Sequence, residues 1–188
     1  MREKPILFST PMVKAILDGK KTMTRRVLRK QPLDIIPMNE PHRWISLDVR
    51  EPEPHGKVVK CRYGQVGDRL WVRETFYKSR INKGHDKPAI VYVADNENLL
   101  TAHWKKYPSI FMPRWASRIT LEITNIRVER LQEITGKDII KEGAVLRSHD
   151  DDFGHNPLSA FDGKVYLDLM SLWAFGWDKI NGKTHPWA

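Results

Sequence analysis

The sequence predicts an α+β fold: a small β-barrel with helices packed at its openings and two insertions. Three observations point there. Runs with strand character, alternating or rich in branched and aromatic residues, outnumber segments of helical period. Neither an internal repeat nor the strand–helix–strand alternation that builds a parallel sheet is visible. The 188 residues, 40% hydrophobic and 29% charged, suit one soluble globular domain and not a disordered chain. A single domain spanning residues 1–188 is expected, with the insertions at about 31–62 and 80–110.

The first run, PILF at residues 5–8, reads as a strand. Ser9 and Thr10 precede Pro11, a capping hydroxyl ahead of a first-turn proline, so a helix starts there. Met12, Ala15 and Ile16 line one face of it, and Gly19 ends it after about two turns. KKTMTRRVL, residues 20–28, is rich in threonine and valine and reads as a strand. Five prolines between residues 31 and 55 confine regular structure there to RWISLDV, which pairs with KVVKCRY across the turn EPEPHG. The turn GQVGD leads into RLWVRETFYKS, a strand by its aromatic and branched content. The second insertion is polar around the short run AIVYVA. RITLEITNIRVERL, from Arg118, alternates for about a dozen residues and is the clearest strand. ITGKDIIKEGAV reads as a short helix closed by Gly143, and residues 165–177 carry Leu169, Leu172, Trp173 and Phe175 as a helical apolar face.

Composition narrows the function classes. No stretch approaches the roughly 18 apolar residues of a membrane span, and the N-terminal apolar run is too short for a secretory signal, so a cytoplasmic protein is expected. The lone Cys61 excludes an internal disulfide and a thiolate zinc cluster. The loop RSHDDDFGHNP brings His149 and His155 near three aspartates, but neither histidine has a helical partner at i+3 or i+4, so no metal and no cofactor is expected. The net charge of +9 lies wholly in the first 80 residues, with 18 Lys or Arg against 9 Asp or Glu. Residues 14–30 alone hold seven basic residues against Asp18. Such a stretch attracts polyanions, nucleic acid above all, although a solvated basic face with no partner has the same composition.

Within that stretch, Gly19, Lys21, Thr24 and Arg26 match the pattern Gly-x-Lys-x-x-Thr-x-Arg. GDRLWVRE at residues 67–74 and PRWASRITLEITNIRVERLQEI at 113–134 match two further stretches of the same kind. On these motifs the chain resembles the ASCH domains of bacterial and phage type, members of the PUA-like superfamily of small β-barrels. The resemblance covers most of the chain outside the insertions. It implies one of three activities: binding of RNA, cleavage of single-stranded RNA, or hydrolysis of N4-acetylcytidine to cytidine and acetate. In the amidohydrolases of the family the working residues are the motif lysine and threonine and a glutamate on the helix after the long strand. Those positions correspond here to Lys21, Thr24 and Glu142.

The chemistry is consistent with these residue types. An amide is a poor electrophile and a threonine hydroxyl a weak nucleophile, so hydrolysis needs a base and an oxyanion donor. Lysine serves as base only if its pKa falls well below about 10.4, which desolvation and the nearby Arg25 and Arg26 favour and Glu142 opposes. Geometry adds a condition. In a regular strand Lys21 and Thr24 face opposite ways, so they meet only if Lys21 still belongs to the bend after Gly19 or a bulge follows it. Without such chemistry, DGKKTMTRR is simply a glycine-ended helix running into an exposed edge strand.

Around this centre, Trp71 or Trp115 offers a flat face for a nucleobase, Glu74 can pair with a motif arginine, and Arg26, Arg73, Arg114 and Arg118 can contact phosphate or substrate. The plain reading of GDRLWVRE is a turn and a core strand with Leu70 and Val72 inside and Arg69 and Arg73 outside. Two departures from the family stand out. Related chains continue past the INGK segment with an apolar strand, whereas this sequence ends NGKTHPWA: either the copy is truncated, and loss of the strand would leave an unpaired sheet edge, or the strand is supplied differently. The insertions are also far longer than in the minimal amidohydrolases, so they are expected to cover the cleft.

Overall fold

The computed structural model describes residues 1–28, 34–37, 44–47, 57–58, 60–81, 87–96, 103–144, 158–159, 165–166 and 169–183. Among these the chain is mixed α+β, with three α-helices and four small sheets of two or three strands. The described strands do not close into a barrel. The chain forms two compact units, one of Met1–Lys14 and Lys30–Val128, the other of Ala15–Arg29 and Glu129–Ala188. Among the described residues no helix is long and apolar enough to cross a membrane.

The first unit holds β1 (Glu3–Leu7), the start of α1 (Thr10–Leu17), β2 (Asp34–Pro37), β3 (Trp44–Leu47), β4 (Lys57–Val58), β5 (Arg69–Arg73), β6 (Phe76–Ser79), β7 (Ile90–Tyr92), β8 (Trp104–Tyr107) and β9 (Thr120–Glu122). Strand β5 is central in the first sheet, parallel to β1 and antiparallel to β9. Leu70 and Val72 point inward as the alternation requires, and Ile6, Ile119 and Ile123 are buried as well. Helix α1 starts as the hydroxyl–proline pattern indicates, with the Val13 amide donating to the Ser9 carbonyl at 2.9 Å.

Two expected strands are shorter. The long alternating run from Arg118 is a strand only over β9, because its partner ends. The chain ahead of β5 is a turn, closed by the Asp68 amide donating to Gln65 O at 3.0 Å and by Gly67 at φ 86°. The bond from the Gly67 amide to Ile123 O, 2.8 Å, ties the end of β9 to that turn, and beyond it the run has no strand to pair with among the described residues. RLWVRETFYKS is likewise two strands in two sheets, broken at Glu74 and Thr75.

The pairing of RWISLDV with KVVKCRY is present, with Ile45 opposite Val58 and Ser46 opposite Lys57. Cys61 falls outside it, in a turn whose Gly64 amide donates to the Cys61 carbonyl, and it is a free, half-buried thiol. The stretch expected to be a polar insertion at 80–110 does structural work: β7 and β8 flank β6 on its two edges. They cover a core of Phe76, Met112 and Ala116 with Ile90, Tyr92 and Tyr107, where Phe76 stacks on Tyr107 at 5.5 Å between ring centres.

The second unit holds the end of α1, then α2 (Gly136–Lys141), β10 (Leu158–Ser159), β11 (Val165–Tyr166) and α3 (Leu169–Asn181). Thr135 and Asp138 form a reciprocal capping box at the start of α2: the Asp138 amide donates to Thr135 Oγ1 at 3.2 Å and the Thr135 amide to Asp138 Oδ2 at 3.3 Å. Gly143, at φ 93°, closes this helix as expected. The C-terminal helix begins at Leu169 and not near Val165, which pairs with Ser159 in a two-stranded ribbon. Trp173 and Trp177, one helical turn apart, bring their rings to 6.2 Å. The loop at 147–157, with His149, His155 and three aspartates, and the last five residues lie outside the described residues.

Candidate functional site

The bend DGKKTMTRR is built by two helix ends. At the close of α1, the Gly19 amide donates to Ile16 O at 3.0 Å, and the Lys20 and Lys21 amides both donate to Ala15 O at 2.9 Å, with Gly19 at φ 71°. Lys21 therefore belongs to the bend, which meets the geometric condition set by the sequence. The next two amides, Thr22 and Met23, donate to the Lys141 carbonyl at 2.8 and 3.0 Å, satisfying an acceptor that the end of α2 leaves open. This is why residues 20–28 do not form the expected strand: the amides that open the segment are spent on a helix terminus.

Docking the bend on the end of α2 places Lys21 against Glu142. Lys21 Nζ donates to Glu142 Oε2 at 2.8 Å, to the Glu142 carbonyl at 2.7 Å and to the Met23 carbonyl at 2.7 Å. An ammonium has three N–H donors, and each here meets an acceptor, so the resting lysine is charged. The two side chains are only 2% and 5% exposed. Burial pulls the Lys21 pKa below its ordinary value, Glu142 opposes this, and Arg26 and Arg25 add to the lowering. The contest between carboxylate and arginines is thus decided mainly by desolvation.

Arg25 completes the cluster. Its Nη2 donates to Glu129 Oε2 at 2.9 Å and Asp138 Oδ2 at 3.3 Å, and its Nη1 lies 3.5 Å from Glu142 Oε1. Glu142 thereby has a cation beside each oxygen. Neither Asp138 nor Glu129 was assigned a role from sequence. Asp138 carried a readable signal as the fourth residue of the capping box; Glu129, within an alternating run, carried none. Thr24 is half-buried and Arg26 exposed. Among the described residues the Thr24 side chain makes no hydrogen bond, so the structure joins Lys21 to Glu142 but not to Thr24.

Gly143 holds this arrangement close. A Cβ there would sit 3.1 Å from both Ala15 Cβ and Lys21 Cβ, on a backbone at φ 93° that side chains rarely adopt. Gly143→Ala is expected to cost about 1–3 kcal/mol from backbone strain alone, read as a lowered midpoint in urea unfolding.

The other expected site residues lie in the first unit. Glu74 is 1% exposed and takes two bonds from Arg118, Nε to Oε1 at 2.9 Å and Nη2 to Oε2 at 3.1 Å. The same guanidinium donates to Asp95 at 2.6 and 3.0 Å and stacks over the Tyr92 ring at 3.9 Å. Arg118 is therefore committed to carboxylates and not offered to phosphate. Trp71 is half-buried with the Arg73 and Arg114 guanidinium groups 5.3 and 5.9 Å from its ring centre. Arg114 pairs with Glu3 at 2.9 Å, and the Arg73 side chain donates to the Ile110 and Met112 carbonyls. Trp115 is exposed, with Lys87 Nζ 5.5 Å from its ring centre. Among the described residues no group of His, Cys, Asp and Glu has the arrangement to hold a metal ion. No model of a known protein family, no curated protein and no solved structure matches the chain.

Proposed function

We propose that the protein is an ASCH-type amidohydrolase that takes a cytidine-like nucleoside and removes its N4-acyl group, releasing cytidine and acetate. The observation that carries this reading is the Lys21–Glu142 pair: residues 121 apart in sequence, buried and 2.8 Å apart, one from the motif lysine position and one from the helix glutamate position. A purely structural bend has no need of a buried charge pair, since such pairs are seldom a net source of stability.

In the proposed reaction the resting ammonium of Lys21 passes a proton to Glu142 along their hydrogen bond. The neutral amine takes the Thr24 hydroxyl proton as Thr24 Oγ1 attacks the acyl carbon. The C–N bond breaks, the leaving cytidine nitrogen receives that proton from Lys21, and the acetyl group remains on Thr24. Water then attacks the ester, Lys21 takes its proton and returns it to the departing Thr24 oxygen; the acetic acid released ionises to solvent, and Glu142 hands its proton back to Lys21, which restores the resting ammonium and carboxylate. Exposed Arg26 adds positive charge close enough to act on Lys21. The depressed Lys21 pKa favours the first step, because it lowers the cost of holding the amine neutral.

Incubation with N4-acetylcytidine, followed by chromatography, tests the reading. The expected result is cytidine and acetate in equal amounts, with turnover abolished by Lys21→Ala and reduced by Glu142→Gln in samples shown folded by circular dichroism. Absence of turnover, or turnover indifferent to Lys21→Ala, sinks it.

A second reading, an RNA-binding module, is favoured by the charge asymmetry: seven basic residues between 14 and 30 against one acid. It predicts RNA binding that weakens steeply with salt. In either reading we propose that the strands of the first unit are part of a PUA-like barrel that the described strands alone do not close, checked by interstrand contacts in solution NMR.

A further inference from the structure

Arg25 has more partners than a structural ion pair needs. Its largely buried guanidinium sits among three carboxylates of the second unit, Glu129, Asp138 and Glu142. Nη2 donates to Glu129 Oε2 at 2.9 Å and to Asp138 Oδ2 at 3.3 Å, while Nη1 faces Met23 Sδ at 3.3 Å and Glu142 Oε1 at 3.5 Å. One edge of a planar fork is thus anchored, and the other is turned to the Lys21–Glu142 pair.

The anchor is itself fixed. Asp138 Oδ2, which holds Arg25, also accepts from the Thr135 amide in the capping box, so it is tied to the start of α2. Glu142 stands at the other end of the same helix as its C-cap. Its side chain has three rotatable bonds, and the hydrogen bond from Lys21 Nζ to Oε2 constrains one oxygen only. Arg25 supplies the second constraint: at 3.5 Å from Oε1 it acts mainly through charge, drawing that oxygen away from Lys21. Met23 ties the two cations together, its carbonyl accepting from Lys21 Nζ at 2.7 Å and its sulfur from Arg25 Nη1. The charged groups acting on Lys21 are therefore Glu142, Arg26 and Arg25, and after burial and Arg26 the Arg25 charge adds to the lowering of its pKa.

We propose that Arg25 is a positioning residue for the hydrolysis: anchored on Glu129 and Asp138, it holds Glu142 Oε1 so that Oε2 alone faces Lys21 and exchanges the proton with it. The proposal rests on the hydrolytic reading above. Arg25 acts through Glu142, so its loss should slow the chemical step and leave substrate binding alone.

Steady-state kinetics of the full chain with N4-acetylcytidine, beside titration of the Lys21 side chain followed by carbon-13 NMR, test it. Arg25→Gln is expected to lower kcat at least about tenfold with KM within about twofold, and to move the Lys21 titration to higher pH, since a neighbouring cation is gone. Arg25→Lys keeps the charge without the fork; it is expected to return the Lys21 titration towards wild type and to recover only part of kcat. A merely structural tie would lower the urea midpoint and leave kcat and the Lys21 titration of the folded variant unchanged, which overturns the proposal. Should Arg25→Gln not fold, Glu129→Gln removes one anchor at a partly exposed position. Its kcat is then expected to fall about threefold or more at unchanged KM, and an unchanged kcat overturns the proposal. If the wild-type chain releases no cytidine, the hydrolytic reading fails and this role with it. If wild type turns over and Arg25→Gln matches it, the role of Arg25 alone is overturned.

Discussion

Arg118→Ala is expected to destabilise the protein by roughly 3–5 kcal/mol, among the largest losses available to a single substitution. The reason is what remains behind. Glu74, 1% exposed, is left in the interior without either bond from the guanidinium. Burial opposes the arginine's charge, but the bonds to Glu74 and Asp95 outweigh that and hold its pKa above the ordinary range. The contribution should divide unequally between the two carboxylates. Asp95 is half-exposed, and Asp95→Asn is expected to cost no more than about 1 kcal/mol. Chemical denaturation of the two variants checks the contrast; equal, small losses would contradict it, since the Glu74–Arg118 pair would then contribute no more than an exposed one.

Lys21→Met is expected to cost a similar roughly 3–5 kcal/mol, because Glu142 then loses the ammonium that balances its buried charge. Arg25, 3.5 Å from the other carboxylate oxygen, offsets part of this. The double variant Lys21→Met with Glu142→Leu is expected to recover much of the loss, since replacing both partners removes the uncompensated charge. The pH dependence has a definite sign. Because the folded Lys21 pKa is lowered, the unfolded chain binds more protons between that value and the ordinary 10.5. This group alone therefore makes stability rise with pH across that window, and Lys21→Met should flatten the rise in urea midpoints measured there.

Short-range signals in the sequence were legible where a helix start, a helix stop or an alternation is decided locally. Ser9, Thr10 and Pro11 marked the start of α1, Gly19 and Gly143 marked two ends, and Leu70 and Val72 marked the buried face of β5. The misses have a common cause: whether a run becomes a strand depends on a partner elsewhere. KKTMTRRVL has strand composition, yet its amides meet the Lys141 carbonyl, and the run from Arg118 loses its partner at the Asp68 turn. The stretch at 80–110 read as a polar insertion around AIVYVA, but β7 and β8 in it cover Phe76. In the site, pattern matching singled out Lys21 and Glu142 together, while Arg25's three carboxylates depend on docking that no local spacing encodes.

In the reaction proposed above, Thr24 carries the acyl group and Lys21 drives its attack. Thr24 is half-buried and outside the ion-pair cluster's hydrogen bonds, so its variants are expected to fold normally. The decisive measurement is kcat/KM for N4-acetylcytidine in wild type, Thr24→Ser and Thr24→Val. A serine that keeps activity within about tenfold, beside a valine that loses at least about a thousandfold, is the predicted result. Equal activity of the Thr24→Val variant and the wild-type protein, at unchanged stability, would contradict this role for Thr24.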